Sequence, residues 1–398
     1  MDEGQATPQG RAGLVVWRIA AAALAFRLFS AFLAFLINAA FPLDRPESVT
    51  MFGHPSAFWD PFTRYDAGWY YQIARYGYLF VAGGPSVGVG KPGKIAYFPL
   101  YPLLMRYASH LFGRTGPAIY LGGIFVSWTA FVLAMVALFI LAERDVPRDR
   151  AEQAVLLTAI FPFSFFFGMV YTESLFLLLT VVSFHGFRTR RWLLGGASGA
   201  LATATRVNGI LILPALAWLA WRGVEANTRD RVLAVVGLVL VGCGVGAYSL
   251  YVYHLSGNAF EWAASIERWG YYPGGAPWMV HVRLVRMLIT HPYAYLAGER
   301  MAPYDTLNGL SALMFVMATP FVWWRFGAGY GLFMLANLWL PLSSGQYEGL
   351  GRYCSVMFPF FIWLASLRSR FVLVAAVVAS ATLYTLCLAL FTTLRPLF

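Results

Sequence analysis

Long apolar runs, separated by short arginine-rich segments, dominate the chain. A run of about 20 apolar residues is long enough to cross a bilayer as a helix. We place about eleven such spans at residues 19–40, 118–142, 152–169, 173–188, 191–204, 207–222, 231–255, 308–324, 328–342, 353–367 and 371–393. The pattern predicts an all-α fold, a polytopic transmembrane helical bundle that forms one membrane domain over residues 1–398.

Charge decides how two of these stretches are divided. Residues 152–188 and 191–222 are each long enough to be one helix, but arginines cluster at 188–191 and at 222–231. Dividing both stretches puts the two clusters on the same side as the basic N-terminal segment. Because cytoplasmic loops carry an excess of arginine, this arrangement predicts a cytoplasmic N-terminus and an external C-terminus.

Two external regions, residues 41–117 and 256–307, are too long for simple connectors. Loops of this length inside a compact domain are usually functional. We therefore predict a first external, catalytic loop over 41–117 and a second external loop over 256–307.

The first external loop is predicted to contain interfacial helices. Trp69, Ile73 and Tyr76 fall on one face of a helix over 66–78, the pattern of a helix that lies in the membrane interface. Residues 97–112 are apolar and begin with two prolines, which suit a first helical turn. If that segment crossed the membrane, every later loop would change sides, so we place it at the surface.

The composition agrees with a membrane protein and excludes other classes. Hydrophobic residues make up 59% of the chain and charged residues 12%, against about 25% charged in soluble domains. The net charge of +11 is spread between apolar segments, so it predicts contact with lipid headgroups and no nucleic acid. Neither the cysteines nor the histidines have metal-ligand spacing, so we assign no metal and no cofactor.

Carboxylates are scarce, so their positions are informative. Asp66 begins the predicted interfacial helix and has two interpretations: a helix cap, or a general base at the membrane surface. Asp60 is a rival base, although an aspartate before a proline usually belongs to a turn.

A second group of polar residues lies at other external turns. Glu173 enters an apolar helix, where a carboxylate lines a polar cavity or favours the helix N-terminus. Arg206 with Asn208, and Arg352 with Tyr353, occupy two further turns. The two arginines suit a phosphate clamp, and snorkelling or an ion pair between Arg206 and Glu173 is the alternative.

These residues carry a resemblance to a known family. Arg64-Tyr-Asp-Ala-Gly-Trp-Tyr-Tyr-Gln-Ile-Ala-Arg-Tyr-Gly-Tyr78, followed by Ala96-Tyr-Phe-Pro-Leu-Tyr-Pro102, resembles the first-loop signature of the PIG-V mannosyltransferases of the GT-C superfamily. The segments 161–174, 204–209 and 352–359 also resemble it, in the same order along the chain. Tyr65 replaces the usual tryptophan, and the linker 79–95 lacks an acidic residue often found there.

The resemblance implies a mechanism and a location. A polyprenyl- or dolichyl-phosphate-mannose donor would give its sugar to a hydroxyl of a glycan or glycolipid on the extracytoplasmic side, with inversion. Asp66 would be the catalytic base, and substrate contacts would come from Arg64, Trp69, Tyr70, Glu173, Arg206, Asn208, Arg352 and Tyr353. The membrane would be the cell membrane in a bacterium and the endoplasmic reticulum in a eukaryote.

Three other functions remain open at the level of the sequence. A transporter or flippase of lipid-linked sugars would account for intramembrane arginine and glutamate, although we see no internal repeat. A non-catalytic subunit of a glycosylation complex would not need a titratable Asp66. Within the enzymes, a protein O-mannosyltransferase is the closest alternative, but such enzymes usually have an acidic pair in the first loop.

Overall fold

The computed structural model describes residues 8–45, 50–80, 93–271, 275–297, 303–395 and 397. Within these ranges the chain consists of α-helices, short 3-10 helices and turns, with no β-strand, which confirms the all-α prediction there. The α-helices are α1 (Pro8–Ala40), α2 (Ala67–Tyr76), α3 (Leu100–Ala108), α4 (Gly116–Ala142), α5 (Arg148–Ile160), α6 (Glu173–Arg188), α7 (Trp192–Thr205), α8 (Leu213–Gly223), α9 (Thr228–Ser256), α10 (Glu261–Arg268), α11 (Met279–Thr290), α12 (Pro292–Leu296), α13 (Pro303–Phe326), α14 (Ala328–Ser343), α15 (Leu350–Ser355), α16 (Phe358–Ala365) and α17 (Arg370–Thr392).

Among the residues that the structure describes, five helices are long and apolar enough to cross a membrane. They comprise Gly13–Ala40, Gly116–Ala142, Thr228–Ser256, Asp305–Phe326 and Arg370–Thr392. Their outward faces carry exposed apolar side chains such as Phe32 and Val239, which water would not tolerate as a continuous surface but lipid accepts. The chain is therefore an integral membrane protein.

Side-chain caps set the starts of three of these long helices. The Thr115 hydroxyl accepts the Ala118 N–H at 3.3 Å before α4, and the Ser369 hydroxyl accepts the Val372 N–H at 3.3 Å before α17. The Asn227 side chain does the same before α9. Each cap satisfies a backbone N–H that the first helical turn leaves without a partner.

The other six predicted spans correspond to shorter helices. At 1.5 Å per residue, the 13 residues of α5 cover about 20 Å, less than the ~30 Å of a hydrocarbon core. Beyond Ile160 the chain turns and continues as a 3-10 helix, Ser164–Gly168. The arginines at 188–191 mark the end of α6 at Arg188 and the start of α7 at Trp192. Both stretches that charge divides are divided in the structure, α5 from α6 and α7 from α8. The count of about eleven spans stays a prediction.

The predicted first external region contains two short helices, α2 and α3, which lie within the predicted segments 66–78 and 97–112. Tyr70 and Ile73 of α2 are buried against the rest of the protein, whereas Tyr76 is 68% exposed. Residues 81–92 of the glycine-rich linker between these helices lie outside the described residues. Residues 272–274 and 298–302 of the predicted second external region also lie outside them. The bounds of both regions therefore stay predictions.

A phenylalanine-rich turn between α5 and α6 forms the centre of the core. Phe163, Phe165, Phe166 and Phe167 are all buried. The same turn supports the first external region, because the Val170 N–H donates to the Phe62 carbonyl at 3.1 Å. The apolar core thus fixes the residues immediately before α6 beneath the loop that carries Asp66.

Candidate active site

Asp66 lies at the start of α2, but its carboxylate does not cap that helix. One oxygen, Oδ2, accepts from Arg352 Nη1 at 2.9 Å, and the other, Oδ1, accepts from the Tyr97 hydroxyl at 3.1 Å. The carboxylate is 20% exposed. The Asp66 carboxylate therefore makes no capping hydrogen bond and forms an ion pair with Arg352 instead.

The backbone before Asp66 adopts a constrained turn. Tyr65 has a φ of +53°, a left-handed conformation that costs a bulky residue about 1–2 kcal/mol. Tyr171 fixes both sides of this turn, since its hydroxyl donates to the Arg64 carbonyl at 3.2 Å and accepts the Asp66 N–H at 3.1 Å. The Tyr65 hydroxyl also donates to the Arg395 carbonyl at 2.8 Å. These bonds aim Asp66 at Arg352.

Glu173, at the first position of α6, holds two arginines with one oxygen. Its Oε1 accepts from Arg206 Nη1 at 2.7 Å and from Arg352 Nε at 3.0 Å. The Glu173 side chain is 0% exposed, and those of Arg206 and Arg352 are 9% and 11% exposed. Removing one partner of so buried a pair typically costs about 3–5 kcal/mol. Glu173 therefore fixes the positions of both guanidinium groups.

The four side chains form a continuous chain of ion pairs, Arg206–Glu173–Arg352–Asp66, which we call the ion network. It contains two positive and two negative groups, so its formal charge is zero. The network joins α7, α6, α15 and the first external loop, which are far apart in sequence.

Aromatic rings cover both arginines of the ion network. The Arg352 guanidinium lies 4.9 Å from the Tyr171 ring centre and 5.1 Å from that of Phe166. The Arg206 guanidinium lies 5.0 Å from the Tyr353 ring centre. Such contacts attract a cation and exclude water, which strengthens the interaction of the arginines with any anion that reaches them.

Two glycines let the arginines approach the core. A Cβ at Gly209 would lie 2.5 Å from the Ala202 carbonyl oxygen and 2.5 Å from Thr203 Cα, so the turn after Arg206 packs tightly on α7. A Cβ at Gly351 would collide with the Phe163 ring. The glycine three residues after Arg206 and the glycine directly before Arg352 are therefore packing requirements.

The remaining predicted substrate-binding residues surround the ion network at different depths. Asn208 is buried, and its Nδ2 has no hydrogen-bond partner among the described residues. Tyr70 is buried, with its ring centre 5.3 Å from that of Tyr97. Arg64 is buried towards α1 and donates to Asn38 Oδ1 at 3.2 Å. Burial lowers the pKa of Arg64 to about 10, so the guanidinium stays charged at neutral pH.

Asp60, the rival base, has a structural environment. Its carboxylate is buried and accepts the Met51 N–H at 3.0 Å and the Ser56 N–H at 2.6 Å. A carboxylate that satisfies two backbone donors stabilises the preceding turn. The turn interpretation of Asp60 therefore agrees with the structure.

Trp69 and two residues that sequence reasoning did not assign, Tyr97 and Trp269, meet beside Asp66. The Trp69 ring centre lies 6.1 Å from that of Tyr97 and 5.5 Å from that of Trp269. Burial raises the pKa of Tyr97, and the Asp66 charge raises it further. The Tyr97 hydroxyl therefore stays protonated and donates to Asp66. Tyr97 belongs to the Ala96–Pro102 motif, whereas Trp269 follows α10 and carries no sequence signal.

Glu348 is a second carboxylate near Asp66 that sequence reasoning did not select. Burial raises its pKa, and the Asp66 charge raises it further. The neighbouring Tyr271 and the Arg352 charge lower the pKa of Glu348 in part. Two carboxylates with different surroundings therefore lie at the site, and Glu348 takes up a proton more readily than an ordinary glutamate.

Comparison with known proteins reveals similarity only at the level of the fold. No family model and no curated sequence matches the chain. ArnT from Cupriavidus metallidurans, solved with bound undecaprenyl phosphate, aligns with a TM-score of 0.50 and 14% identity over 96% of this chain and 76% of ArnT. The Archaeoglobus fulgidus oligosaccharyltransferase, solved with Zn and sulfate, aligns with a TM-score of 0.47 and 15% identity. That alignment covers 92% of this chain, which spans 53% of the oligosaccharyltransferase.

The likeness to ArnT concerns the fold alone. It shows that the chain folds like ArnT over 96% of its length. At 14% identity it does not extend to the PIG-V family or to a particular sugar. The chain is thus similar in fold to ArnT, which binds undecaprenyl phosphate.

Proposed function

We propose that this chain is a membrane glycosyltransferase that moves a hexose, mannose by resemblance, from a polyprenyl-phosphate donor to an acceptor hydroxyl on the extracytoplasmic side. The observation that carries the proposal is the Arg352–Asp66 ion pair at 2.9 Å. It puts the candidate base within reach of the candidate phosphate-binding group. ArnT, which shares the fold, binds undecaprenyl phosphate, and such a carrier is the donor lipid we propose.

The reaction would proceed in one displacement. The acceptor hydroxyl gives its proton to Asp66 while its oxygen forms a bond to the anomeric carbon. On the opposite face, the bond from that carbon to the phosphate oxygen breaks, and its electron pair leaves with the polyprenyl phosphate. Arg352 and Arg206 stabilise the charge that develops there. The configuration at the anomeric carbon inverts.

The ion network suits this chemistry because its arginines are already fixed. A guanidinium group offers a planar pair of N–H donors to a phosphate. Glu173 holds both arginines before any donor binds, so little reorganisation accompanies the reaction. In this proposal Glu173 acts through the arginines as a positioning residue.

The test is a transfer assay on membranes that contain the full chain. Radiolabelled polyprenyl-phosphomannose and a panel of glycolipid acceptors are incubated with wild type, Asp66→Asn and Glu267→Gln. Glu267 is an exposed carboxylate on α10 and serves as the matched control. We expect transfer by wild type and by the control, and a loss of at least about 100-fold in Asp66→Asn.

Two outcomes would overturn the proposal. Equal transfer by wild type and Asp66→Asn would remove Asp66 as the base. Movement of the intact lipid-linked sugar across the bilayer, without transfer to any acceptor, would favour the transporter or flippase. Protein level and thermal unfolding are measured in parallel, because a lost ion pair with Arg352 also affects stability.

A further inference from the structure

Three aromatic side chains from separate segments meet beside Asp66, and we call them the aromatic corner: Trp69 of α2, Tyr97 before α3, and Trp269 after α10. Trp69 and Tyr97 are nearly parallel, at 19°, and Trp269 stands almost perpendicular to both, at 89° and 82°. All three are only partly buried. Part of each of these side chains is therefore accessible to a ligand.

Hydrogen bonds fix the side of the corner that comes from the second external loop. The Trp269 indole N–H donates to the Gly93 carbonyl at 3.4 Å, and the Gly270 carbonyl accepts from Gln346 Nε2 at 3.2 Å. These bonds connect the second external loop to the first and to the segment before α15. The corner is therefore built before any ligand arrives.

Tyr97 of the aromatic corner and Arg352 contact different carboxylate oxygens of Asp66. Oδ2 faces Arg352, whereas Oδ1 accepts the hydrogen bond of Tyr97. If the donor phosphate binds at Arg352, an acceptor hydroxyl that reaches Asp66 from the other side comes to the oxygen next to the aromatic corner. An inverting displacement needs this separation of acceptor and leaving group.

We propose that the aromatic corner binds a sugar ring of the acceptor, which makes the acceptor a saccharide or a glycolipid. This inference rests on the function proposed above. One face of a pyranose ring carries C–H groups, and the electron-rich face of an indole attracts such weakly positive edges. The ring hydroxyls need polar partners, and Glu348, which is close enough to Asp66 to be affected by its charge, supplies a carboxylate.

A donor-free binding experiment tests the corner. The purified full chain in lipid nanodiscs is mixed with methyl α-D-mannopyranoside or methyl β-D-glucopyranoside, and saturation transfer from protein to sugar is measured by NMR. We expect saturation of the C–H protons on one ring face in the wild type. Trp69→Ala and Trp269→Ala should weaken binding about fivefold or more, whereas Trp69→Phe keeps a stacking surface and retains most of it.

Trp278→Ala is the matched control, because Trp278 is 59% exposed in the same external loop and lies outside the aromatic corner. It should bind the glycosides like the wild type. Unchanged binding in the double variant Trp69→Ala/Trp269→Ala, or no glycoside binding in the wild type, would overturn the inference. So would a loss of binding in Trp278→Ala equal to that in Trp269→Ala.

Binding of undecaprenyl phosphate to the same samples separates this inference from the function on which it rests. The tryptophan variants should bind it like the wild type, because the arginines are unchanged. A wild type that binds the glycosides through the corner but not undecaprenyl phosphate would contradict the transferase and support the sugar site. Binding of undecaprenyl phosphate without any glycoside binding would support the transferase and contradict the sugar site.

Discussion

Arg352 has two competing partners in the proposed reaction, the Asp66 carboxylate and the donor phosphate. In the structure Asp66 occupies one of its N–H groups at 2.9 Å. Because the ion network has no net charge, an incoming phosphate must displace a carboxylate from the arginine or share it. Donor binding would then release Asp66 at the step where a free base is needed.

This competition predicts that Asp66→Asn binds undecaprenyl phosphate more tightly than the wild type, although it no longer transfers sugar. Removing a competing charge should raise the affinity about three- to tenfold, a modest part of what one charged hydrogen bond contributes. Binding is measured by titration in nanodiscs, with Glu267→Gln as the control that changes one exposed carboxylate. Weaker binding by Asp66→Asn would show that Asp66 helps to hold the donor site together.

Glu348 provides a prediction in pH. Burial and the Asp66 charge raise its pKa in the folded state, so the folded protein binds this proton more tightly than the unfolded chain does. The free energy of unfolding therefore decreases as the pH rises through the pKa that Glu348 has in the folded protein. Below the pKa of a glutamate in the unfolded chain, about 4, this decrease is absent. Glu348→Gln should raise the thermal midpoint by about 1–2 °C at pH 8 and leave it unchanged near pH 4.

The measurement for Glu348 is a series of thermal unfolding curves from pH 4 to pH 8. Glu267→Gln, an exposed substitution of the same kind, should give curves that follow the wild type throughout. A Glu348→Gln midpoint that is lower than wild type at pH 8 would mean that the Glu348 charge stabilises the fold, contrary to the burial that raises its pKa.

At the scale of elements, the position of Arg206 depends on how tightly the turn at 207–212 packs against α7. Gly209→Ala places a Cβ 2.5 Å from two backbone atoms of that helix, which cannot rotate away. We expect a loss of about 1–3 kcal/mol in stability and weaker binding of undecaprenyl phosphate. Thermal unfolding and lipid titration measure the two effects.

A second glycine supplies the control for this prediction. Gly242 lies inside α9, and a Cβ there meets nothing within 4 Å. Gly242→Ala should therefore be neutral or slightly stabilising, since alanine favours a helix interior. If Gly209→Ala unfolds and binds like Gly242→Ala, the close packing behind Arg206 is not what positions the arginine.

The elements also show what the sequence alone could predict. The helices and their breaks follow from local patterns, since the arginines at 188–191 mark the end of α6 and the start of α7. The ion pair between Arg206 and Glu173 is among the alternatives that the sequence leaves open for these residues. The Arg352–Asp66 pair spans 286 residues, and no local pattern contains it. It depends on how α15 packs against the first external loop.

At the scale of the whole molecule, sidedness decides whether Asp66 meets an external acceptor. The chain contains two lysines, Lys91 and Lys94, and both belong to the predicted first external loop. Burial lowers the pKa of Lys94, which increases its reactive neutral fraction at a given pH. A membrane-impermeant amine reagent applied to sealed, right-side-out vesicles should therefore label the chain through this loop.

The control for sidedness is Lys91→Arg/Lys94→Arg, which keeps both charges but removes both lysine amines. The double variant should therefore lose the labelling that the wild type shows in sealed vesicles. Labelling of the wild type only after opening would put the first loop in the cytoplasm. Asp66 and the aromatic corner would then face the compartment opposite to the proposed acceptor, and the donor lipid would have to present its sugar on that side.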